Sequence, residues 1–248
     1  MTAIDADHHP RIGMVTPYDF ALDRELWRWV PEPLELLLTR TEYEPLLVSV
    51  EQALAVGDPD VVARATRTVI TPAPAVVGYA CTTGSFVGGR KGEQALLDAI
   101  LGAGAPAAVT TSGAVVQALT ALGVSRVAVA TPYEDEITAL LVSFLQDFGV
   151  DVTATSNLGL NAGIWTVPDE VTLDLVRRAW TDDCDAVFVS CTNLSTYDLI
   201  PTLEAELGVP VVSANQATMW AAVARAGFTA VGPGQRLIDQ CSIDGSLT

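Results

Sequence analysis

The chain is poor in histidine and lysine. Its 248 residues include two histidines, His8 and His9, both in a polar lead before Pro10, and a single lysine, Lys91. With no imidazole in the folded body, Ser-His-Asp and Cys-His catalysis and His-rich metal sites are excluded. Lys91 lies in the loop-like run Gly88-Gly89-Arg90-Lys91-Gly92, where a solvated charge is expected rather than a Schiff base. Positive charge is scarce throughout: 13 Lys and Arg stand against 30 Asp and Glu, a formal net charge of −17. That field opposes nucleic acid and anionic membrane surfaces, and neither is expected as a partner. It also means that an anionic ligand must be held by local donors. No apolar run approaches the ~18 residues of a membrane span, and no signal-peptide pattern precedes Arg11. The four cysteines, Cys81, Cys184, Cys191 and Cys241, show no CxxC or zinc spacing. No metal is expected, and the composition fits a soluble protein of the reducing cytoplasm.

What the chain has is an alternation of β-rich and helical stretches. Apolar runs predict strands over 12–15, 46–50, 75–79, 107–110, 126–130, 150–154, 186–190 and 211–213. Helices are predicted between them, over 58–67, 92–101, 112–122, 134–148, 170–180, 197–207 and 216–226. Continuous β-branched strands with intervening helices imply parallel sheets covered on both faces. Gly88-Gly89 and Gly232-Pro233-Gly234 read as turns, since neither has phosphate-loop or dinucleotide spacing.

Two cysteines occupy matching frames within this pattern. Tyr79-Ala80-Cys81-Thr82-Thr83 closes one apolar run, and Val189-Ser190-Cys191-Thr192-Asn193 closes another. The echo continues downstream, because the distance from Pro106 to Gly123 equals that from Pro210 to Gly227. We therefore expect an α/β protein of two pseudo-symmetric, flavodoxin-like lobes, each presenting one cysteine at the C-terminal edge of a parallel sheet. The active site is expected in the cleft between them. The first lobe is placed at 10–118, with 216–240 packing back on it, and the second at 119–215.

A strand end passing into a helix N-terminus offers free backbone N–H groups, which would lower a thiol's pKa. Two such thiols suggest paired acid–base groups facing one substrate. Removing a proton from the α-carbon of a carboxylate needs a base on one face and donors around the developing enediolate. Thr82, Thr83, Thr192 and Asn193 are candidate donors, Tyr133 a candidate carboxylate partner, and Pro17 a candidate wall. Ser112 and Asn215 hold equivalent places after the paired proline strands. Cys184 and Cys241 are expected to be passive.

At these residues the chain resembles the aspartate/glutamate racemase superfamily, in the branch holding maleate cis-trans isomerases, arylmalonate decarboxylases and racemase-like proteins of ectoine utilisation. The resemblance rests on Arg11-Ile12-Gly13-Met14-Val15 with Pro17, the Cys81-Thr82-Thr83 frame, Thr131-Pro132-Tyr133, Ser190-Cys191-Thr192 and Gly208-Val209-Pro210-Val211-Val212-Ser213. It implies a cofactor-independent, homo-oligomeric enzyme acting on a small carboxylate, with Cys81 and Cys191 catalytic. It also implies that Tyr133 and Asn161 hold substrate carboxylates. The decarboxylases have glycine at the first cysteine position, so cysteine at both favours an isomerase of the maleate type. A two-base racemase or epimerase of an amino acid derivative comes next, then a decarboxylase, and last a non-catalytic binding scaffold. One departure stands out: maleate isomerases carry Pro-Ser-Ser-Asn after the first strand, where this chain has Pro17-Tyr18-Asp19-Phe20. Loss of that amide suggests a different, less polar substrate end.

Overall fold

A computed structural model describes residues 10–241, so His8 and His9 lie outside the described residues. The first half contains β1 (Arg11–Thr16), α1 (Asp23–Trp27), β2 (Glu35–Arg40), α2 (Val50–Val56) and α3 (Pro59–Val69). It continues with β3 (Val76–Tyr79), α4 (Thr82–Phe86), α5 (Gly89–Gly102), β4 (Ala108–Thr110) and α6 (Thr111–Ala121). The second half contains β5 (Arg126–Thr131), α7 (Asp135–Asp147), β6 (Asp151–Asn157), α8 (Asp169–Ala179) and β7 (Ala186–Val189). It ends with α9 (Leu199–Leu207), β8 (Val211–Ser213), α10 (Ala214–Arg225) and α11 (Arg236–Gln240).

Two four-stranded parallel sheets result, ordered β2-β1-β3-β4 and β6-β5-β7-β8. The two orders are equivalent, so the pseudo-symmetry expected from the cysteine frames is a property of the fold. The central strands are rich in valine and alanine and are buried along nearly their whole length, as parallel strands covered on both faces must be. Strand order reverses between β1 and β3 in one sheet and between β5 and β7 in the other. Loops leaving those four strands diverge and open a crevice at each sheet's C-terminal edge.

Helices α6 and α10 join the two halves. Each starts at a hydroxyl N-cap, Thr110 accepting from Gly113 N and Ser213 from Gln216 N. The buried small residues Ala214, Ala217 and Ala221 line α10, and Thr111 and Thr218 hydrogen-bond across the pair at 2.9 Å. A buried amide cluster closes the far side: Trp29 Nε1 and Gln216 Nε2 both donate to Gln235 Oε1 at 2.9 Å.

Three sequence expectations change. Residues 46–50 form no strand; they run as irregular backbone to Ser49, whose Oγ accepts from Gln52 N and starts α2. Their apolar side chains line a cavity instead of a sheet. The second strand is Glu35–Arg40, a leucine-rich edge that pairs with β1. Lys91 lies in the first turn of α5 rather than in a loop, and it is exposed.

Packing is tight beneath the first cysteine loop. A Cβ on Gly84 would collide with the Tyr79 hydroxyl, which donates to Val56 O at 2.6 Å. Gly84→Ala is therefore expected to destabilise the protein by about 1–3 kcal/mol, read as a lower urea midpoint with an unchanged slope.

Candidate active site

Pro17 and Asp19 follow β1, Cys81 follows β3, Tyr133 follows β5 and Cys191 follows β7. All five line one cavity of about 30 Å³ with Thr82, Thr83, Thr192, Asn193, Val48, Gln52 and Ile164. The crevices of the two sheets thus meet as a single site. A second cavity of about 170 Å³ adjoins it, shares Asp19, Val48 and Ile164, and is otherwise lined by Tyr18, Leu46, Leu47, Asn161, Ala162, Gly163 and Trp165.

The two thiols are equivalent in position and different in support. Cys81 is the extended N-cap of α4, with Gly84 N donating to its sulfur at 3.4 Å, and its thiol and the Thr83 hydroxyl share a hydrogen bond at 3.6 Å. Cys191 also receives a backbone donor, Asn193 N at 3.4 Å, but no helix follows it directly, since α9 starts only at Leu199. Its φ is +99°, a left-handed value that costs a non-glycine residue about 1–3 kcal/mol. The expected strand-to-helix turn is therefore present at Cys81 and replaced at Cys191 by a strained loop. The buried Tyr133 phenol lines the same cavity as Cys191 and acts to lower that thiol's pKa. Tyr79 lies beside Cys81, but its single O–H is committed to Val56 O.

Behind each cysteine a polar side chain holds the next carbonyl. Ser112 Oγ donates to Thr82 O at 3.2 Å, and Asn215 Nδ2 to Thr192 O at 2.9 Å. The Cys191 loop is further held from the first half of the chain. The buried carboxylate of Glu25 accepts from Thr196 N and Thr196 Oγ1, both at 2.9 Å, and from Tyr197 N at 3.3 Å.

Not every expected site residue is free to bind a ligand. The Asn193 side chain accepts from Ala21 N at 2.9 Å and donates to Asp19 O at 3.2 Å, which makes it a link between loops. Asn161 is exposed, lines only the second cavity and turns its amide toward Glu134 Oε1 at 3.4 Å. It does not join the cysteines, because its carbonyl is anchored by Val48 N on the outer loop. Pro17, Thr82, Thr83, Tyr133 and Thr192 do join them. The Thr82 hydroxyl is buried at the cavity with no hydrogen-bond partner in the protein. Sequence reasoning missed Asp19 and Gln52. The change from an amide-bearing run to Pro17-Tyr18-Asp19 was the available signal for the first; Gln52 had none.

Burial reverses the expected acidity of the thiols. Desolvation pushes Cys191 up to about 12, against the Tyr133 and Asn193 donors, and Asp19 and Cys81 add to the rise. Cys81 is also raised by burial, despite Gly84 and Thr83. Asp19 itself is raised by burial. The expectation of lowered thiol pKa values is thus wrong for these buried thiols, where two or three donors do not offset the loss of water.

A family profile described as Arylmalonate decarboxylase matches residues 49–238. The arylmalonate decarboxylase of Bordetella bronchiseptica is 39% identical over 172 residues, covering 67% of this chain and 72% of that protein. The structure of a double mutant of arylmalonate decarboxylase in its liganded form superposes with a TM-score of 0.84 at 34% identity, over 93% of this chain and 99% of that one. A maleate cis-trans isomerase mutant from Nocardia farcinica, with a covalently bound succinylcysteine intermediate, gives 0.80 at 26% identity, over 94% and 99%. The chain belongs to the arylmalonate decarboxylase family, within the aspartate/glutamate racemase superfamily, a family of enzymes.

The raised thiols set a pH dependence. Between the unfolded pKa of ~8.5 and the folded values, the native state binds more protons than the unfolded chain. Their stabilising contribution is full below about pH 8.5 and is lost as pH rises through the folded values, for Cys191 toward about 12, by up to about 1.4 kcal/mol per pH unit and thiol. Urea midpoints should fall between pH 8 and pH 10, and Cys191→Ala should flatten that fall.

Proposed function

We propose that the protein is a cofactor-independent isomerase of a small carboxylic acid, with Cys81 and Cys191 acting from opposite sides of one substrate carbon. The observation that carries this reading is that both buried thiols, each with a backbone N–H at 3.4 Å, line one small cavity. One sulfur, as thiolate, takes a proton from the carbon; the C–H electron pair moves onto the carboxylate as an enediolate. The opposite thiol then delivers its proton to the other face, and the two sulfurs exchange roles. Thr82, Thr83 and Thr192 supply donors for the enediolate, and the unpartnered Thr82 hydroxyl is the first of these. The same pair supports cis-trans isomerisation. Cys191 thiolate adds to an alkene carbon while Cys81 protonates the neighbouring one; rotation about the new single bond and the reverse elimination follow. The succinylcysteine intermediate of the Nocardia farcinica isomerase supports thiol addition as chemistry this scaffold accommodates.

Decarboxylation is a second reading, favoured by the 39% identity to an arylmalonate decarboxylase. Loss of carbon dioxide yields the same enediolate, and one thiol suffices to protonate it. The family resemblance carries the further expectation of a homo-oligomer, which sedimentation would test, and the composition that of a cytoplasmic protein, which cell fractionation would test.

The readings separate on the single mutants. An isomerase should lose at least about 10³-fold in turnover with either Cys81→Ala or Cys191→Ala, and serine should rescue neither, because a hydroxyl is far less acidic than a thiol. A decarboxylase should keep turnover in Cys81→Ala and release carbon dioxide. Full activity in both alanine variants would remove the thiols from the chemistry. NMR of small acids in D₂O, with wild type and both variants, reads all of these outcomes.

A further inference from the structure

Asp19 places a carboxylate at the one point shared by both cavities and both cysteines. Its charge reaches Cys81, Cys191 and Tyr79. Among the described residues, only its own backbone N–H is turned toward that carboxylate. No lysine, arginine or histidine lines either cavity. The nearby arginines are engaged elsewhere, Arg28 with Asp198 and Arg40 with Asp23. A largely buried charge without a partner is unfavourable, and its complement is a cation or a strong donor. That complement is absent from the protein side of the site.

We propose that Asp19 is the specificity-determining residue of this site, and that it selects a monocarboxylate carrying a cationic nitrogen on or next to the reacting carbon. The proposal rests on the two-thiol isomerase reading and narrows it to epimerisation of an amino-acid-type substrate. A dianion such as a malonate or maleate would place its second carboxylate against Asp19 with no cation between them. An ammonium there pairs with Asp19, while the substrate carboxylate keeps the threonine hydroxyls and backbone donors. The uncharged remainder of the substrate fits the second cavity, whose walls include Leu46, Val48, Ile164 and Trp165.

Pairing also changes the thiols. Asp19 disfavours both thiolates when it stands alone. A bound ammonium cancels that effect and adds a positive charge close to sulfur, so substrate binding itself promotes the thiolate that takes the proton. The same ammonium withdraws electrons from the C–H bond to be broken. A substrate without the cation leaves the thiols protonated.

The test compares wild type, Asp19→Asn and Asp19→Glu on four probes in D₂O: leucine, phenylglycine, maleate and phenylmalonate. Thermal unfolding monitors the fold, and Asp19→Asn is expected to be at least as stable as wild type because it removes a buried charge. Wild type should exchange the α-proton of the two amino acids at least about 100-fold faster than it converts either dianion. Asp19→Asn should lose about 100-fold on the amino acids, gain on the dianions, and shift the kcat profile to lower pH on the former, because the carboxylate that raises both thiols is gone; Asp19→Glu should recover part of the loss. Wild-type preference for the dianions, or an unchanged ratio in Asp19→Asn, overturns the proposal and leaves the two-thiol isomerase standing. Conversion of none of the four by wild type overturns both.

Discussion

The structure of the site depends on one buried carboxylate, that of Glu25. It sits in the first helix of the chain and accepts three hydrogen bonds from Thr196 and Tyr197, in the loop that carries Cys191. Cys191 holds a left-handed backbone angle of +99°, which a side chain adopts only when its surroundings enforce it. Glu25 supplies part of that enforcement. Asn193 supplies another by linking the same loop to Ala21 N and Asp19 O. Asn215 supplies a third, from behind, through Thr192 O. The segment after β1 therefore does two jobs at once: it lines the cavity with Pro17 and Asp19, and it fixes the thiol contributed by the other sheet. These contacts run from the first half of the chain to the strained loop of the second, so the geometry of the thiol pair depends on the packing of the two halves.

The same packing explains why the thiols are weak acids. A cysteine at an open strand end would gain acidity from the N–H groups around it. Here those groups are present, at 3.4 Å on each sulfur, yet both thiols are raised because both are buried. For proton transfer to carbon this is not a defect. A carbon acid is itself very weak, and a donor that must return a proton to an enediolate works best when it holds that proton until the carbon is ready. What the site then requires is a means to form one thiolate on demand, and nothing among the residues lining the cavity supplies a positive charge to do so.

The fold was largely legible in the sequence because parallel strands advertise themselves. Ala186-Val187-Phe188-Val189 and Val76-Val77-Gly78-Tyr79 are apolar throughout, as buried strands must be, and each ends at a cysteine followed by threonine. Glu35–Arg40 was missed because it is leucine-rich, lacks β-branched residues until Thr39, and follows Pro31 and Pro33. The apolar run near 46–50 misled for the opposite reason: cavity walls and strands are made of the same residues. Position along the chain sufficed to bring Cys81, Thr82, Tyr133 and Cys191 to one cavity, each two or three residues beyond the end of a strand. Asn161, which the family resemblance implies as a carboxylate partner, lines the adjoining cavity instead of the cysteine cavity. Glu25 was invisible, since nothing local to Asp23-Arg24-Glu25 marks one of its charges as buried. Only a contact 171 residues distant makes it a buried acceptor. Asp19 was hidden in the same way, one acidic residue among 30 in a chain whose net charge is −17.

That net charge sharpens the question of how an acid reaches this site at all. The long-range field repels anions, and no cationic side chain lines either cavity to reverse it locally. Neutral donors such as Thr82 can stabilise one carboxylate once it has arrived, through charge-assisted hydrogen bonds at a buried site. They do not compensate a second negative charge set beside Asp19. A ligand with no net charge avoids the penalty on approach and in the bound state alike, since its positive end faces the carboxylate and its negative end faces the hydroxyls. The protein's global charge and its one unpaired cavity carboxylate thus impose the same restriction from two distances. Both disfavour a dianion, and both leave a zwitterion as the form of small acid that the surface does not repel and the site can neutralise.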